Sequence, residues 1–317
     1  MSVFTLKLIA IISMLTDHIG VIILQTRISD PMLQDIYIIS RYIGRTAFPV
    51  FAFLVANGCK YTKDIRKYMF RLGCLALISE VIFDLAFSGD ISFVYNTNVF
   101  YTLFLGVAYI EIYEKMKNKK NQWIALLPII AIPAILLVNF TPFHIYGLHI
   151  AGATIALCIL LIYTLAHKLP DNANFGKVSC QKNIVAIIAG IPLLILAELL
   201  TTDYGYFGVG LIFLVYLMNP ENKLLRSLAL SMGAIFHYGG GVFGEVWTEY
   251  EGEFIIERFI NLHGISALTF ALLAAVLVFF YNGKYGTKSA IVKYGFYAFY
   301  PIHILFLTQI SRLLSGS

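Results

Sequence analysis

The amino-acid sequence predicts an all-α membrane protein, a polytopic bundle of about nine to eleven transmembrane helices. The first reason is composition: of the 317 residues, 59% are hydrophobic and only 13% are charged, whereas about a quarter of the residues in a soluble domain are charged. The second reason is that the apolar residues form runs of about 20, the length at which a helix crosses a bilayer. The third is that basic residues concentrate in alternate loops, as in membrane proteins.

Eleven apolar runs are candidate spans, of which the eighth and ninth are the shortest. In chain order they cover about Phe4–Leu24, Ile36–Gly58, Tyr68–Phe87, Val94–Tyr113, Trp123–Phe140, Ile145–Ala166, Ile184–Thr201, Tyr206–Met218, Lys223–His237, Leu262–Tyr281 and Ala290–Arg312. No polar stretch between them is long enough to fold alone, so we expect one transmembrane domain over residues 1–317. The first run lacks a small-residue cleavage site after it, and we interpret it as a retained span.

The charges in the loops orient the bundle. Most of the 23 Lys and Arg residues lie in alternate loops, such as the one at 60–71. The intervening loops contain only Arg27 and Arg258, and the loop at 238–261 is acidic. Because basic loops stay in the cytoplasm, we expect a cytoplasmic N-terminus and an external acidic loop. The expected location is a cell membrane, the bacterial plasma membrane, with the chain crossing it many times.

Neither the net charge nor the cysteine content indicates nucleic-acid binding or a metal site. The net charge of +5 comes from residues beside apolar runs, so it reflects topology and gives no reason to expect nucleic acid as a partner. The four cysteines show no spacing typical of a metal site, and no metal is expected. Buried packing is the better interpretation of these cysteines, since none falls in a loop that we place outside.

The first span carries Asp17 and His18 well inside its apolar run. Ionisable side chains in hydrocarbon are costly, so a membrane chain that keeps them is usually using them. His18 is a candidate general base, because imidazole titrates near neutral pH. We expect Asp17 either to orient the ring of His18 or to pair with Arg45. A purely structural polar contact between helices is the alternative for both residues.

Lys7 precedes His18 by eleven residues, which places both on nearly the same helix face, about 16 Å apart along the axis. A ligand with an anionic head in the cytoplasm and a reactive tail in the membrane would touch both, and acyl-coenzyme A has that shape. A basic cluster at the same membrane edge either sets topology alone or clamps the phosphates of such a donor. Its members are Lys63, Arg66, Lys67 and Arg71.

Two other spans combine proline with an ionisable residue. Arg45 lies just before Pro49, which is expected to bend the second span. A buried guanidinium needs an acidic partner. The candidate partners are Asp17, Glu80 and Asp84. In the last span His303 follows Pro301 and is a second candidate for acid–base work. A structural ion pair and a packed kink are the respective alternatives, but we expect Arg45 and His303 to converge on His18.

Several motifs together resemble the TraX family of integral membrane proteins. They are Asp17-His18-Ile19-Gly20, Gly44-Arg45-Thr46-Ala47-Phe48-Pro49, Asn98-Val99-Phe100-Tyr101-Thr102-Leu103, Asp203-Tyr204-Gly205 and Tyr300-Pro301-Ile302-His303. The founding activity of the family is acetylation of a pilin N-terminus. TraX proteins are similar to a wider transmembrane acyltransferase superfamily, which includes the family 3 acyltransferases and heparan-α-glucosaminide N-acetyltransferase. The family 3 enzymes carry Arg, ten residues and then His in the first helix. Lys7 and His18 copy that spacing, although Lys lacks the bidentate fork of Arg.

The resemblance implies an integral membrane O- or N-acetyltransferase that uses acetyl-coenzyme A from the cytoplasmic side as its donor. His18 would activate the acceptor or carry the acyl group, and Arg45 would stabilise developing negative charge or pair with Asp17. The implied acceptor is a hydroxyl or amine of a cell-surface glycan, a lipid-linked molecule or a peptide. Because this chain is longer than the pilin enzyme, we expect an acceptor other than pilin.

Two other functions are consistent with the buried charges. A proton-coupled transporter or flippase of a lipid-linked or sugar intermediate would use Asp, Glu and His as a proton relay. No inverted repeat is visible in the sequence, which counts against that alternative. An inactive scaffold would use the same charges only to lock helices together.

Overall fold

The computed structural model describes residues 1–25, 29–87, 89, 96–117, 184, 186–250, 253–287 and 289–315. Its helices are α1 (Val3–Ile19, continued by a π-helical turn over Gly20–Leu24), α2 (Pro31–Gly44), α3 (Ala47–Tyr61), α4 (Ile65–Phe87), α5 (Val99–Lys117), α6 (Ile191–Leu199), α7 (Gly205–Leu217), α8 (Lys223–Tyr238), α9 (Leu262–Phe279) and α10 (Ala290–Ser315). A short 3-10 turn over Gly239–Val242 leads into strands β1 (Phe243–Tyr250) and β2 (Glu253–Ile260).

The predicted helical membrane bundle is confirmed in the described part of the chain. Three stretches are long and apolar enough to cross a membrane, namely Val3–Leu24, Pro31–Tyr61 and Leu262–Phe279. Most other predicted spans coincide with a helix to within a few residues, because apolar runs and helices are bounded by the same polar turns. The predicted spans Trp123–Phe140 and Ile145–Ala166 lie outside the described residues.

The second predicted span consists of two helices, so the expectation of one bent helix was wrong. α2 ends at Gly44 and α3 begins at Ala47, with Arg45 and Thr46 in the turn between them. Pro49 is therefore the third residue of α3, in a first turn where a backbone N–H has no intrahelical acceptor. The break places Arg45 at the junction of two helices instead of within a kinked one.

The acidic loop predicted at 238–261 contains a β-hairpin. β1 and β2 pair antiparallel, from Phe243 opposite Ile260 to Tyr250 opposite Glu253. Both segments are rich in aromatic and β-branched residues, which favour strands, and Glu251-Gly252 separates them in the sequence. The hairpin adds two strands to a bundle that is otherwise helical in the described residues.

The core of the bundle is built around α7, which corresponds to one of the two shortest predicted spans. Every residue from Phe207 to Val215 is buried, and α3 supplies a second almost wholly buried helix. Small residues allow the close approach of neighbours: a Cβ at Gly208 would overlap Thr102, and one at Gly106 would overlap Ile212. A 13-residue helix is about 20 Å long, which suits a helix that is enclosed by protein.

The outer faces of the helices are apolar. Large hydrophobic side chains are exposed along the bundle surface, for example Ile12 of α1 at 54%, Phe70 of α4 at 72% and Phe306 of α10 at 63%. In water such a surface would drive association. In a bilayer it contacts lipid, while helices satisfy their own backbone hydrogen bonds.

Two loops at one end of the bundle are joined by backbone hydrogen bonds. Thr97 N–H donates to the carbonyl of Thr201 (3.1 Å), and Asp203 N–H donates to the carbonyl of Thr97 (2.9 Å). Asn96, Thr201 and Tyr204 adopt left-handed φ angles of 46°, 46° and 67°, a conformation that costs energy for residues with a Cβ. The ladder holds these strained loops next to the start of α5 and α7.

Candidate functional site

The candidate site is centred on a histidine pair between the first and last helices. His18 of α1 and His303 of α10 place Nδ1 and Nε2 respectively 2.6 Å apart, with their ring planes parallel to within 2°. Nδ1 of His303 lies 2.8 Å from the carbonyl oxygen of Phe299. The structure therefore brings His303 to His18, as the sequence analysis expects.

The hydrogen bonds fix the tautomers of both neutral rings. A carbonyl oxygen only accepts, so Nδ1 of His303 carries the proton that it donates to Phe299. Nε2 of His303 is then an acceptor, and Nδ1 of His18 donates to it. The remaining nitrogen, Nε2 of His18, is unprotonated. Among the described residues it accepts no hydrogen bond, so it is the free base of the pair.

Aromatic rings enclose the pair. Tyr300 and Phe87 approach the ring of His18 edge-on, with centroids 5.9 and 6.1 Å away. Phe299 stacks on His303 at 4.6 Å. His303 is only 5% exposed. An apolar enclosure favours neutral imidazoles and strengthens the hydrogen bond between them, because water screens it little.

Asp17 does not orient His18, and it does not pair with Arg45. Its Oδ2 forms an ion pair with Nη1 of Arg41 on α2 at 2.7 Å. Adjacent helical residues point about 100° apart, so α1 presents His18 to α10 and Asp17 to α2. A Cβ at Gly44 would overlap the carboxylate of Asp17, so glycine at this position allows the two helices to approach.

Arg45 lies one helical turn beyond Arg41 and has a different partner. Its guanidinium lies over the ring of Tyr238 at 5.7 Å from the centroid, and no carboxylate of the described residues forms an ion pair with it. Neither Asp17 nor Glu80 supplies the acidic partner that the sequence analysis expects. The break between α2 and α3 turns Arg45 towards α8 instead.

A second buried polar cluster joins α4 to the start of α5. Oε2 of Glu80 accepts from the backbone N–H of Asn98 (3.0 Å) and from its side-chain Nδ2 (2.5 Å). Nδ2 also donates to the carbonyl of Ala76 (2.8 Å). Both Glu80 and Asn98 are 0% exposed, as is Asp84 one turn along α4. Oε1 of Glu80 has no hydrogen-bond partner among the described residues.

The predicted phosphate contacts lie at the opposite end of α1. Lys7 lies over the ring of Phe296 at 5.2 Å, and Arg71 lies over Tyr68 at 6.0 Å. Lys63 is exposed.

Acidic side chains neutralise part of this basic cluster. Arg66 contacts Glu111 at 3.6 Å, and Lys67 contacts Asp64 at 3.4 Å. The backbone N–H of Lys67 also donates to Asp64 (3.0 Å) and lowers the pKa of that carboxyl. Both cations are exposed, although Glu111 is largely buried, and such pairs are more typical of a solvated membrane edge than of a closed phosphate site.

Arg41 and Asn98 belong to these polar clusters but are not among the site residues that the sequence predicts. Arg41 precedes Arg45 by four residues, a spacing that places both on one helix face and offers Asp17 a second arginine. Asn98 begins a span directly after a loop, where its side chain caps α5 by accepting from Phe100 N–H at 3.0 Å. The signal in the sequence for a second role of Asn98 is Glu80 on the preceding span, because a buried carboxylate needs a hydrogen-bond donor such as the side-chain amide of Asn98.

Comparisons with known proteins extend over the whole chain. The family model described as "TraX protein" matches residues 2–173. A probable fimbrial assembly protein FimC of serogroup H1 from Dichelobacter nodosus is 24% identical over 320 residues, covering 99% of this chain and 97% of the relative. No solved structure matches.

Proposed function

This chain belongs to the TraX family, and from that premise we propose that it is a multi-pass cell-membrane acetyltransferase. It would transfer an acetyl group from cytoplasmic acetyl-coenzyme A to a hydroxyl or amine. The activity is the one that the family resemblance implies. Within the chain, the observation that carries the proposal is the hydrogen-bonded sequence from His18 through His303 to the carbonyl of Phe299.

In the proposed reaction His18 is the general base. Its Nε2 removes the proton from the acceptor hydroxyl or amine while the acceptor oxygen or nitrogen bonds to the thioester carbonyl carbon. The tetrahedral intermediate collapses as the carbon–sulfur bond breaks. The coenzyme sulfur then takes the proton from His18 Nε2, and His18 returns to its starting tautomer.

His303 supports the protonated intermediate of His18. In the imidazolium form of His18, Nδ1–H still donates to Nε2 of His303, and a charged donor makes a stronger hydrogen bond than a neutral one. Because His303 is held by Phe299, the acceptor nitrogen is already in place before the reaction. Little reorganisation is then needed when charge develops.

The donor is proposed to lie along α1. Lys7 is at the other end of the helix from His18, about 16 Å away along its axis, a separation that suits a thioester joined to a phosphate-bearing head. The name of the Dichelobacter nodosus relative refers to fimbrial assembly. That name supports a peptide acceptor belonging to a surface fibre, beside the glycan and lipid-linked acceptors.

A proton-coupled transporter or flippase is the second candidate function. The observation that favours it is the buried Glu80, whose Oε1 has no hydrogen-bond partner in the described part of the chain, with Asp84 one turn away on the same helix. Two carboxylates buried at this spacing favour sharing a proton, as a relay requires. Acetyl transfer by the purified protein without any ion gradient favours the enzyme, whereas gradient-driven flux in proteoliposomes without coenzyme A favours the transporter.

The deciding experiment uses the purified full chain in detergent with radiolabelled acetyl-coenzyme A. We measure acetyl transfer to peptide and sugar acceptors and the release of free coenzyme A. His18→Ala is expected to lower the rate by about 100-fold or more. His263→Ala removes an exposed histidine at the start of α9 and is expected to leave the rate unchanged. Equal rates in wild type and His18→Ala would refute the role of His18.

A further inference from the structure

Arg226 is a buried arginine between two aromatic rings. It lies on the first turn of α8 and is 4% exposed. The centroid of Phe53 lies 5.6 Å from its guanidinium carbon, and that of Tyr281 lies 5.3 Å away. Both rings are themselves almost fully buried, at 1% and 4% exposure. The cation is therefore enclosed within the protein near one end of α3, α8 and α9.

The rings pack against the faces of Arg226 and leave its Nε without a hydrogen bond among the described residues. All five N–H groups of a guanidinium point outward in its plane, whereas aromatic rings engage its faces. Nε is fully buried, and no described residue accepts a hydrogen bond from it. Within the described residues Arg226 forms no ion pair with a carboxylate. A buried cation without an anion is costly, and none of the described carboxylates supplies one, so the geometry leaves room for a bound anion.

A second cation lies near the start of the same helix. Lys60 of α3 contacts Met218, in the loop that leads into α8. Its ammonium donates to the carbonyl of Met218 and lies over the ring of Tyr216 at 5.5 Å, and it forms no ion pair within the described part of the chain. The amino group of Met1 donates to the carbonyl of Phe280 at 2.5 Å, so a third positive charge is at the same end.

This group differs from the basic cluster at 63–71. There, Arg66 and Lys67 are exposed at 74% and 80% and each has an acidic partner. Arg226 and Lys60 have none in the described part of the chain, and Arg226 is shielded from water. An anion bound between them would be held in a medium of low dielectric constant, where charge-assisted hydrogen bonds are strong.

We propose that Arg226 and Lys60 bind a phosphate group of a ligand at the cytoplasmic end of the bundle. The inference deepens the proposed function and rests on it in one respect: the phosphate is assigned to the nucleotide part of the acyl donor. An anionic lipid headgroup presents the same phosphate chemistry at this depth. The planar fork of Arg226 would grip two phosphate oxygens, and Lys60 would neutralise remaining charge.

The test measures binding of coenzyme A to the purified full chain by titration calorimetry in a neutral detergent. Pantetheine, which has the same thiol arm without phosphates, is the matched ligand control. Arg226→Gln is expected to raise the Kd for coenzyme A by about 30-fold or more, as for the loss of a buried charge partner. Lys223→Gln removes an exposed charge from the same helix and is expected to change the Kd less than twofold.

Two further experiments complete the test. The first provides a second variant in case Arg226→Gln does not fold, and the other shows whether a lipid headgroup supplies the phosphate. Lys60→Gln, at a partly exposed position, provides the binding test if Arg226→Gln fails to give a cooperative thermal melt. Wild type and Arg226→Gln are also melted in nanodiscs of phosphatidylcholine with and without phosphatidylglycerol. A phosphatidylglycerol-dependent stabilisation that disappears in Arg226→Gln assigns the phosphate to a lipid headgroup and supports the site.

The outcomes distinguish this site from the proposed enzyme. If phosphate-dependent binding is lost in the folded variants and wild type transfers no acetyl group, the anion site stands and the acetyltransferase proposal fails. If wild type transfers acetyl groups, the folded variants bind coenzyme A as wild type does and phosphatidylglycerol stabilises wild type and Arg226→Gln equally, the enzyme stands and the site is refuted. The site is also refuted if wild type binds pantetheine as tightly as coenzyme A and gains no stability from phosphatidylglycerol.

Discussion

His18 and His303 are separated by 285 residues in the chain, yet Nδ1 of one lies 2.6 Å from Nε2 of the other. The contact joins the first helix to the last. Because Phe299 accepts from the far nitrogen of His303, the direction of both hydrogen bonds is set, and the free lone pair of the site is on His18. Under the proposed function His303 is a positioning residue, which acts on the acceptor only through His18.

The first prediction separates positioning from substrate binding. His303→Leu removes the acceptor for His18 Nδ1–H, so the neutral ring of His18 is no longer held in the reactive tautomer. We expect kcat for acetyl transfer to fall by about 100-fold, with KM for acetyl-coenzyme A little changed. His303→Gln supplies a carbonyl oxygen near the position of Nε2 and is expected to recover part of the lost kcat. A drop in kcat/KM that arises only from KM would contradict this role.

The second prediction concerns the approach of α1 to α2. In Gly44→Ala the new Cβ overlaps the carboxylate of Asp17, so the side chain shifts away from Arg41. We expect a loss of about 1–3 kcal/mol in the free energy of unfolding, the usual cost of overpacking, measured in detergent with a denaturant. Gly295→Ala is the control, since nothing lies within 4 Å of its Cβ position. That variant is expected to be as stable as wild type or up to about 1 kcal/mol more stable.

The helices were predictable because hydrophobicity alone defines them. The last span, predicted as Ala290–Arg312, is a helix over Ala290–Ser315. The sequence analysis does not predict the hairpin, because the glutamates of the 238–261 segment are typical of a loop, whereas the aromatic and β-branched residues between them favour strands. The break at Arg45 was misplaced by one turn, since a proline is tolerated in the first turn of a helix and marks a start as often as a kink.

The site was predictable only as a set of residues. The position of each residue along its predicted span places His18, Asp17 and Arg45 at a similar depth in the membrane. Which side chain each of them contacts depends on the rotation of each helix about its own axis. A rotation of about 100° separates adjacent residues, which is why Asp17 contacts Arg41 and not His303. Arg226 shows the same limit, since only the fold shows that it is buried between two aromatic rings.

The third prediction tests the polar cluster of α4 and α5. Asn98→Ala removes three side-chain hydrogen bonds, those donated to Glu80 and to the carbonyl of Ala76 and the one accepted from Phe100 N–H. It also leaves a buried carboxylate with one donor fewer. We expect a loss of about 1–3 kcal/mol in the free energy of unfolding. In Glu80→Gln the cost is smaller, because the neutral amide still accepts from Asn98. Asn282→Ala, in an exposed turn after α9, is the control and is expected to have a small effect. A larger loss for Glu80→Gln than for Asn98→Ala would contradict this assignment.

The fourth prediction is a double-mutant cycle on Asp17 and Arg41. The side chains are 20% and 26% exposed, so the pair is partly shielded, and removing either partner leaves the other charge without its counterion. We expect each single variant, Asp17→Asn and Arg41→Gln, to be destabilised and the double variant to recover part of the loss. The expected coupling energy is about 1–2 kcal/mol.

The matched control for this cycle is the ion pair of Asp64 and Lys67, whose side chains are 43% and 80% exposed. Solvent screens that pair, so its coupling should be below about 0.5 kcal/mol. Salt separates the two further, because 0.5 M NaCl should abolish the coupling of the exposed pair and leave most of the Asp17–Arg41 coupling intact. Equal couplings for the two cycles would show that Asp17 and Arg41 are as accessible to water as a surface pair.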